Sequence, residues 1–259
     1  MRVALERAMR CGLFFLLVLG CAEPPAARTA PLEQASIALG ADEVLLDARG
    51  AELLVGRIEP APEGSDADRV LVARGAGIDG RRVLDARFVG ALLVVLDADH
   101  RLRVIDGERE AVLDERAEAP LSVAGDAIAY ARGEMPDFEV ARAIPSSGEV
   151  TAVAPDVRPA WSPALSPDGR EVVFVTSVTG TPRLYRPGRG FVDAPRFATT
   201  PSAPLWRGEQ LVVGDERGVA WLDLEGGQLV REDAELTALL ATADGRVLAR
   251  RGAAYEALR

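Results

Sequence analysis

The chain has 259 residues, of which 48% are hydrophobic, so it can bury a real core and does not have the composition of a disordered protein. Its 40 acidic residues outnumber its 30 basic residues, which gives a formal net charge of −10 at pH 7. Because an acidic surface repels phosphate backbones, this balance argues against nucleic acid as a partner.

Residues 1–20 have the layout of a secretory signal peptide. A short region that carries Arg2, Arg7 and Arg10 precedes an apolar run at 11–20. That run is too short to span a bilayer as a helix, but it matches the apolar region of an export signal. We therefore predict that residues 1–20 are removed from the mature protein.

The end of this segment resembles the lipobox of bacterial lipoproteins. The matching residues are Val18, Leu19 and Gly20, followed by Cys21. In that motif the cysteine is acylated and the chain is cut just before it, so the resemblance implies a lipid on Cys21 and a membrane contact through that lipid. The alternative is a soluble secreted protein with an incidental cysteine.

Two further expectations follow from the lipobox resemblance. Cys11 lies in the removed segment, so a mature chain with one cysteine can form no internal disulfide. Ala22 stands where an aspartate is linked to inner-membrane retention of well-studied enteric lipoproteins. By that analogy we expect a membrane-anchored lipoprotein of the bacterial cell envelope, at the outer membrane and facing the periplasm.

Residues 21–36 are predicted to be the lipidated cysteine and a short tether. The stretch is rich in Ala and Pro and has no apolar periodicity, which favours an extended and semi-rigid conformation. Residues 37–259 are predicted to form one folded domain.

From residue 37 onward, short apolar and β-branched runs alternate with turn residues, a pattern that indicates an all-β domain. The runs form successive pairs joined by Gly- and Asp-containing turns. We predict six hairpins: Glu43–Asp47 with Glu52–Ile58, Leu92–Leu96 with Leu102–Ile105, Ala127–Ala131 with Phe138–Ala143, Glu171–Thr176 with Arg183–Arg186, Gln210–Gly214 with Val219–Leu224, and Arg246–Arg250 with Ala254–Leu258.

The hairpins recur about every 40 residues, which favours a single six-bladed β-propeller over one sandwich; five or seven blades are the alternatives. Neighbouring blades cover both faces of an inner strand, which explains the continuous apolar runs at 92–96 and 172–175. The last repeat has fewer predicted strands than a propeller blade requires. A closed ring therefore requires the segment Ser36–Leu39 to add a strand to the final blade.

One stretch, residues 158–186, resembles the repeat of TolB-type propellers. In that repeat a Pro-x-Trp-Ser-Pro entry and a Ser-Pro-Asp-Gly turn precede an apolar strand, a hairpin and a Leu-Tyr strand. The matching residues are Pro159, Trp161, Ser162, Pro163, Ser166, Pro167, Asp168, Gly169, Leu184 and Tyr185.

Looser copies of the same repeat lie at 125–150, 204–227 and 241–248. The resemblance therefore implies a TolB-like, WD40-like propeller. TolB itself carries a further α/β domain ahead of its propeller and is a free periplasmic protein, whereas here a tether precedes the repeats. For that reason the resemblance is not extended to the partners of TolB.

A glycine series offers a competing interpretation as a nucleotide site. Gly75, Gly77 and Gly80 have the spacing of a dinucleotide-binding loop, and the preceding run 69–73 can form a strand. Against this, Arg81 follows the third glycine, where close helix packing requires a small residue, and no further βα unit follows. We favour a Gly-rich loop between blades.

The remaining candidate residues for chemistry also have a simpler structural interpretation. His100 is the sole histidine and stands in a turn, where a solvated role is favoured over catalysis or zinc binding. Asp66 and Asp68, or Asp97 and Asp99, could contribute to a calcium site, but alternating acids are more common in exposed turns.

The three tryptophans, Trp161, Trp206 and Trp221, could form a ligand platform. Two of them, Trp161 and Trp206, fall near the entries of repeats. We therefore favour packing between blades for these side chains.

These patterns predict a non-catalytic protein-interaction or scaffold module, with no catalytic, cofactor or metal site. Its partners are expected to be other envelope proteins, bound at the loops between blades and at the channel mouth. Two alternatives remain open: a propeller enzyme of the lactonase, lyase or hydrolase kind, and a periplasmic sensor of calcium or a small ligand.

Overall fold

Antiparallel β-strands make up all the regular structure that the computed structural model describes. The described residues are 36–62, 68–134, 136–177, 182–192, 204–215, 218–224, 229–233, 236–252 and 254–258. Over these ranges there are 23 strands and no helix, as the sequence predicts for an all-β chain. None of these residues belongs to a helix long and apolar enough to cross a membrane. The predicted signal peptide, the lipobox, Cys21 and the tether up to residue 35 lie outside the described residues, as does Asp66.

The strands are numbered in chain order. They are β1 (Ile37–Ala38), β2 (Glu43–Arg49), β3 (Glu52–Pro60), β4 (Arg69–Arg74), β5 (Arg82–Val89), β6 (Leu92–Asp97), β7 (Leu102–Asp106), β8 (Arg109–Asp114), β9 (Ala117–Ala124), β10 (Ala127–Arg132), β11 (Glu139–Ile144), β12 (Glu149–Val153), β13 (Ala160–Leu165), β14 (Val172–Thr176), β15 (Arg183–Arg186), β16 (Gly190–Phe191), β17 (Leu205–Arg207), β18 (Gln210–Asp215), β19 (Gly218–Asp223), β20 (Leu229–Asp233), β21 (Thr237–Ala241), β22 (Val247–Arg251) and β23 (Ala254–Ala257).

The described strands belong to one unit, Gln34–Arg259, and form five sheets. Four sheets have four strands each: β9–β12, β13–β16, β17–β20, and a closing sheet in the order β1-β23-β22-β21. The fifth has seven strands, β2–β8, but its β4 and β5 pair only through Leu71 with Val83 and Val72 with Arg82. All six predicted hairpins are present among these pairings.

The inner strands follow one another in a cycle. β2 contacts β5, β5 contacts β9, β9 contacts β13, β13 contacts β17, β17 contacts β21, and β21 contacts β2. Each of these strands is the first strand of its unit. The later strands of that unit follow it in the sheet, away from the cycle of inner strands. This arrangement of radiating antiparallel sheets is propeller-like.

The closing sheet takes one strand from the start of the described chain. β1 pairs antiparallel with β23, with Ile37 opposite Tyr255 and Ala38 opposite Ala254. The strand expected at Ser36–Leu39 is therefore confirmed. Ile37 and Leu39 also pack against a buried cluster of Leu45, Leu240, Leu248 and Tyr255, so that residues from both ends of the described chain share one core.

Apolar side chains between neighbouring sheets form the core, because each sheet buries both of its faces. All five residues of β14 are buried, as are Leu93–Leu96 of β6 and all but the last residue of β10. The predicted burial of both faces is thus confirmed for the apolar runs of β6 and β14, which are the second strands of their units rather than the inner strands of the cycle. Complete burial of a side chain such as Phe174 contributes about 1.5–3 kcal/mol to the free energy of unfolding.

Buried polar side chains connect successive inner strands. Asp47 Oδ2 accepts a hydrogen bond from the Phe88 N–H at 2.8 Å, joining β2 to β5. In the same way Asp85 Oδ2 accepts from the Leu121 N–H at 2.8 Å, joining β5 to β9. Ser122 Oγ accepts from the Leu165 N–H at 2.9 Å, joining β9 to β13. Each bond satisfies a backbone donor that would otherwise be buried without a partner.

A reciprocal pair of bonds joins the closing sheet to β2. Asp47 Oδ1 accepts from the Ala243 N–H at 2.8 Å, while Asp244 Oδ2 accepts from the Gly50 N–H at 3.1 Å. Burial raises the pKa of Asp47 above its ordinary value, although Arg87 and the bonded backbone N–H groups oppose that effect. The first and last units are therefore held by carboxylates as well as by β1.

The glycine series at 75–80 forms a loop between β4 and β5. Gly75 has a φ of 96°, and a Cβ there would lie 2.5 Å from the Leu53 carbonyl oxygen, so only glycine fits. Ile78 of the same loop is buried in the adjacent core. β5 follows directly and pairs antiparallel with β6, so the helix that a dinucleotide site requires is absent from these described residues.

Candidate functional site

A recess lies at one end of the inner strands. It is surrounded by the turns that connect the first and second strands of several units. This cavity has a volume of about 160 Å³. Its lining combines apolar side chains with hydroxyl and backbone polar groups, and it comes from five inner strands and the turns or strands that follow them: Phe88, Gly90, Ser122, Val123, Ala124, Gly125, Leu165, Pro167, Leu205, Trp206, Ala241, Thr242, Ala243, Gly245 and Val247. Because several sheets contribute, the recess forms only when they are assembled around a common centre.

The Ser-Pro-Asp-Gly motif forms one of the turns at this recess. Ser166 Oγ donates to Asp168 Oδ1 at 2.5 Å, and the Gly169 N–H donates to the Ser166 carbonyl oxygen at 2.8 Å. Gly169 has a φ of 69°, a conformation in which glycine avoids Cβ strain. The bond from Ser166 holds the pKa of Asp168 below its ordinary value. The turn is therefore locked by its own side chains, and Pro167 faces the recess.

The predicted echo at 241–248 has the same hydrogen bonds. Thr242 Oγ1 donates to Asp244 Oδ1 at 2.6 Å, and the Gly245 N–H donates to the Thr242 carbonyl oxygen at 2.9 Å. Burial raises the pKa of Asp244, but hydrogen bonds from Arg246, Thr242 and the Gly50 N–H outweigh it, so the pKa is lowered. Two rigid turns of one design thus border the recess.

The other residues of the repeat motif lie in the packing of the sheets. Pro159 precedes β13, and Ser162 and Pro163 are buried within it. Leu184 is buried in β15, where the Tyr185 ring lies 5.3 Å from the Phe174 ring and 5.5 Å from the Phe191 ring. The ten motif residues are therefore not gathered into one site: the turn residues shape the recess and the rest stabilise the sheet.

The tryptophans pack against buried clusters. Trp161 and Trp206 lie against one cluster between the β13–β16 and β17–β20 sheets, and Trp221 is buried in the next cluster. Trp206 also lines the recess, and its Nε1–H donates to the Ala164 carbonyl oxygen at 3.2 Å. This tryptophan therefore combines a packing role with a position at the candidate site.

His100 and its neighbouring acids lie in the β6–β7 hairpin. The His100 Nδ1 is 2.8 Å from Glu118 Oε1, and its side chain is half exposed. Asp97 accepts hydrogen bonds from the Asp99 N–H, the Arg101 N–H and Arg103 Nε, so arginine and backbone groups occupy its oxygens. Among the residues that the structure describes, no group of three or more His, Cys, Asp or Glu side chains is placed to hold a metal.

Sequence analysis missed Asp47, Asp85 and Ser122, which join the inner strands. A signal existed for two of them, because the tetrapeptide Leu-Asp-Ala-Arg occurs at both 46–49 and 84–87. Arg49 from the first copy lies over the Phe88 ring at 4.2 Å and donates to the Gly90 carbonyl oxygen at 2.8 Å, beside the recess. The repeated tetrapeptide can be recognised in the sequence. Its role in joining the units cannot, because that role depends on contacts between residues about 40 positions apart.

Comparison with known proteins identifies the fold. No family model and no curated protein sequence matches the chain. Its structure is similar to TolB from Acinetobacter baumannii, with 12% identity and a TM-score of 0.50 over 80% of this chain and 64% of that one. It is also similar to KlAtg21 in complex with the coiled coil of AgAtg16, with 12% identity and a TM-score of 0.50 over 82% and 83% of the two chains. A putative TolB from Agrobacterium tumefaciens matches with 17% identity and a TM-score of 0.41 over 81% and 77%.

The two similarities with a TM-score of 0.50 confirm the predicted fold, a TolB-like β-propeller. The chain spans less than two thirds of the length of the A. baumannii TolB chain. At such identities the likeness concerns the fold alone.

Proposed function

We propose that this protein is a lipid-anchored scaffold of the bacterial cell envelope, in which a six-bladed propeller binds another envelope protein without catalysing a reaction. The fold supports a rigid platform that presents loops. The sequence of the first 21 residues supports export and acylation, and Ala22 favours the outer membrane, facing the periplasm.

The count of six blades rests on the inner strands. β2, β5, β9, β13, β17 and β21 contact one another in a cycle, which gives one inner strand to each of six units. The seven-stranded sheet then counts as two blades, β2–β4 and β5–β8, linked by the short β4–β5 pairing. The first blade then has three strands, and the loop at 75–81 follows the last of them.

The single observation that carries the binding role is the chemistry of the recess. None of its described lining residues has a titratable side chain, so it offers no acid or base for catalysis. Its walls instead suit an apolar side chain that a partner inserts, with the locked turns fixing the shape of the entrance. Partner residues buried in such pockets commonly dominate the binding free energy.

Filling the recess tests this binding role. Ala243 is an exposed residue of the lining, and an Ala243→Trp substitution places a large ring at the entrance. Ala51 is exposed in the first turn of the β2–β3 hairpin, none of whose residues lines the recess, so Ala51→Trp is the matched control. Cross-linking in intact cells followed by mass spectrometry should find a partner with the wild type and Ala51→Trp but not with Ala243→Trp. Equal recovery with all three proteins, each with an unchanged melting temperature, would place the interface elsewhere.

Membrane attachment is tested at the two cysteines. We expect Cys21→Ala to abolish the acyl mass on the mature N-terminus and to release the protein from the membrane fraction. Each buried methylene stabilises attachment by about 0.8 kcal/mol, and durable anchoring requires more than one chain. Cys11→Ala, in the removed segment, should leave attachment unchanged. A Cys21→Ala protein that stays in the membrane fraction would refute lipid anchoring.

A further inference from the structure

A second cavity lies at the other end of the sheets. In an antiparallel unit, the turn after the first strand is at one end, while the turn after the second strand and the exit of the fourth are at the opposite end. The cavity is built from such opposite-end segments and has a volume of about 550 Å³. Its lining residues are Asp114, Arg116, Arg132, Gly133, Glu134, Asp137, Glu139 and Arg158.

The floor of this cavity is an ionic network with alternating charges. Arg132 donates to Glu139 Oε1 through both Nε and a terminal nitrogen, each at 2.8 Å, and Arg158 bonds the other oxygen of Glu139. Asp114 accepts from the Tyr130 hydroxyl at 2.9 Å and lies 3.5 Å from Arg132. The side chains of Asp114 and Glu139 are each only 14% exposed, so the floor is fixed in position.

Packing alone does not require such a network. Burial of the two carboxylates costs free energy, while the Arg132 and Arg158 side chains stay 29% and 43% exposed, and buried ion pairs can often be replaced by apolar residues without loss of stability. Tyr130, which is fully buried, has its pKa raised by burial and by the Asp114 carboxylate, so it remains a hydrogen-bond donor to that carboxylate. A costly and ordered set of charges facing a cavity is what recognition of a charged ligand needs.

The rim of the cavity provides groups of both signs for a ligand. Arg116 is 69% exposed and its nearest acid, Glu134, is 3.8 Å away, a loose contact. Asp137 is exposed and, among the described residues, has no side-chain hydrogen bond or ion pair. A ligand can therefore meet a cation and an anion without breaking the floor.

We propose that this cavity binds a small zwitterion, a free amino acid or a short peptide with both termini charged. The ligand's carboxylate would contact Arg116 and Arg158, and its ammonium group would contact Asp137 and Glu134. The volume falls within the range of small-molecule sites, about 300–1,000 Å³. This site is separate from the recess and does not depend on the proposed scaffold function.

Calorimetric titration of the full chain with capped and uncapped peptides tests the proposal. The probes are glycine, alanyl-alanine, N-acetyl-alanyl-alanine and alanyl-alanine amide. We expect the two zwitterions to bind, and each capped peptide to bind about tenfold more weakly or worse, because one charge-assisted contact is lost. Equal binding of either capped peptide, or no binding of any probe at millimolar concentration, would overturn the proposal.

Variants of the rim distinguish a site from nonspecific binding. Arg116→Gln and Asp137→Asn remove one charge each from exposed side chains, so we expect the fold to persist and the affinity for alanyl-alanine to fall about tenfold. Arg109→Gln and Asp126→Asn change exposed residues outside the cavity and serve as matched controls. The same affinity in all four variants would also overturn the proposal.

Discussion

The Asp47 side chain forms hydrogen bonds with three parts of the structure. Its two oxygens accept hydrogen bonds from its own neighbour Ala48, from Phe88 of β5 and from Ala243 of the closing sheet. It lies at a β-bulge of the β2–β3 pair, where the register shifts. The sequence shows an aspartate between apolar residues, but a bulge moves a side chain to the other face of a strand. Its inward position was therefore not predictable from alternation.

Replacement of Asp47 by alanine should be among the most destabilising single changes. The buried N–H of Phe88 would lose its acceptor, at about 1–3 kcal/mol, and the partly buried N–H of Ala243 would lose a hydrogen bond of about 0.5–1.5 kcal/mol, so we expect a loss of about 1.5–4.5 kcal/mol. Urea unfolding of the purified protein measures it. Asp126→Ala, at an exposed turn, should change stability by less than about 0.5 kcal/mol. A loss at Asp47 no larger than at Asp126 would show that these bonds do not hold the units together.

The pH dependence of stability should identify the ionisation of Asp47. Burial raises its folded pKa above the ordinary value of 3.8, so the folded state holds this proton more tightly than the unfolded chain. Stability from this group is thus complete below that value and is lost as pH rises through the folded pKa. The unfolding free energy of the wild type relative to Asp47→Asn should therefore decrease as pH rises from below 4 towards 7. An increase over that interval would contradict the assigned direction.

Turns and hairpins are the elements that sequence analysis predicts best. The six hairpins and the Ser-Pro-Asp-Gly turn with its echo at 241–248 depend on local signals, namely apolar runs, glycine and side chains that bond their own backbone. The short bridge between β4 and β5 was not predicted. It depends on pairing across the loop at 75–81, and no local residue pattern specifies whether two units share a sheet.

The two matched turns allow a test of contact between units. Gly169 and Gly245 both have positive φ, so alanine at either position should cost about 1–2 kcal/mol in backbone strain. A Cβ at Gly245 would meet nothing within 4 Å, whereas one at Gly169 would lie 3.3 Å from the Ala124 carbonyl oxygen of the neighbouring sheet. Gly169→Ala should therefore destabilise more than Gly245→Ala in thermal unfolding. Equal losses would indicate that the sheets yield at this contact.

For the whole molecule, closure between the ends of the described chain is the feature that matters most. β1 adds only two paired residues to β23, yet it also brings Ile37 and Leu39 onto a shared core. The sequence predicted this strand from a requirement of the architecture rather than from any motif. The recess, by contrast, was predicted only as a channel mouth, because its lining comes from sequence positions that are far apart.

Truncation tests the role of closure. A protein that lacks residues 1–39 should be less stable than one that lacks residues 1–35, by about 1–3 kcal/mol, because it loses the half-buried Ile37 and Leu39 and the β1–β23 bonds. Differential scanning calorimetry of the two proteins measures the difference. Identical melting temperatures would mean that the closing sheet is complete without β1.

The pairing of β1 with β23 also determines when folding can finish. Tyr255 lies 218 positions after Ile37, so β1 has no partner strand until the last hairpin has been made. Contacts of such long sequence separation slow folding. The ring can therefore close only after the last hairpin has been made, whichever units fold before it.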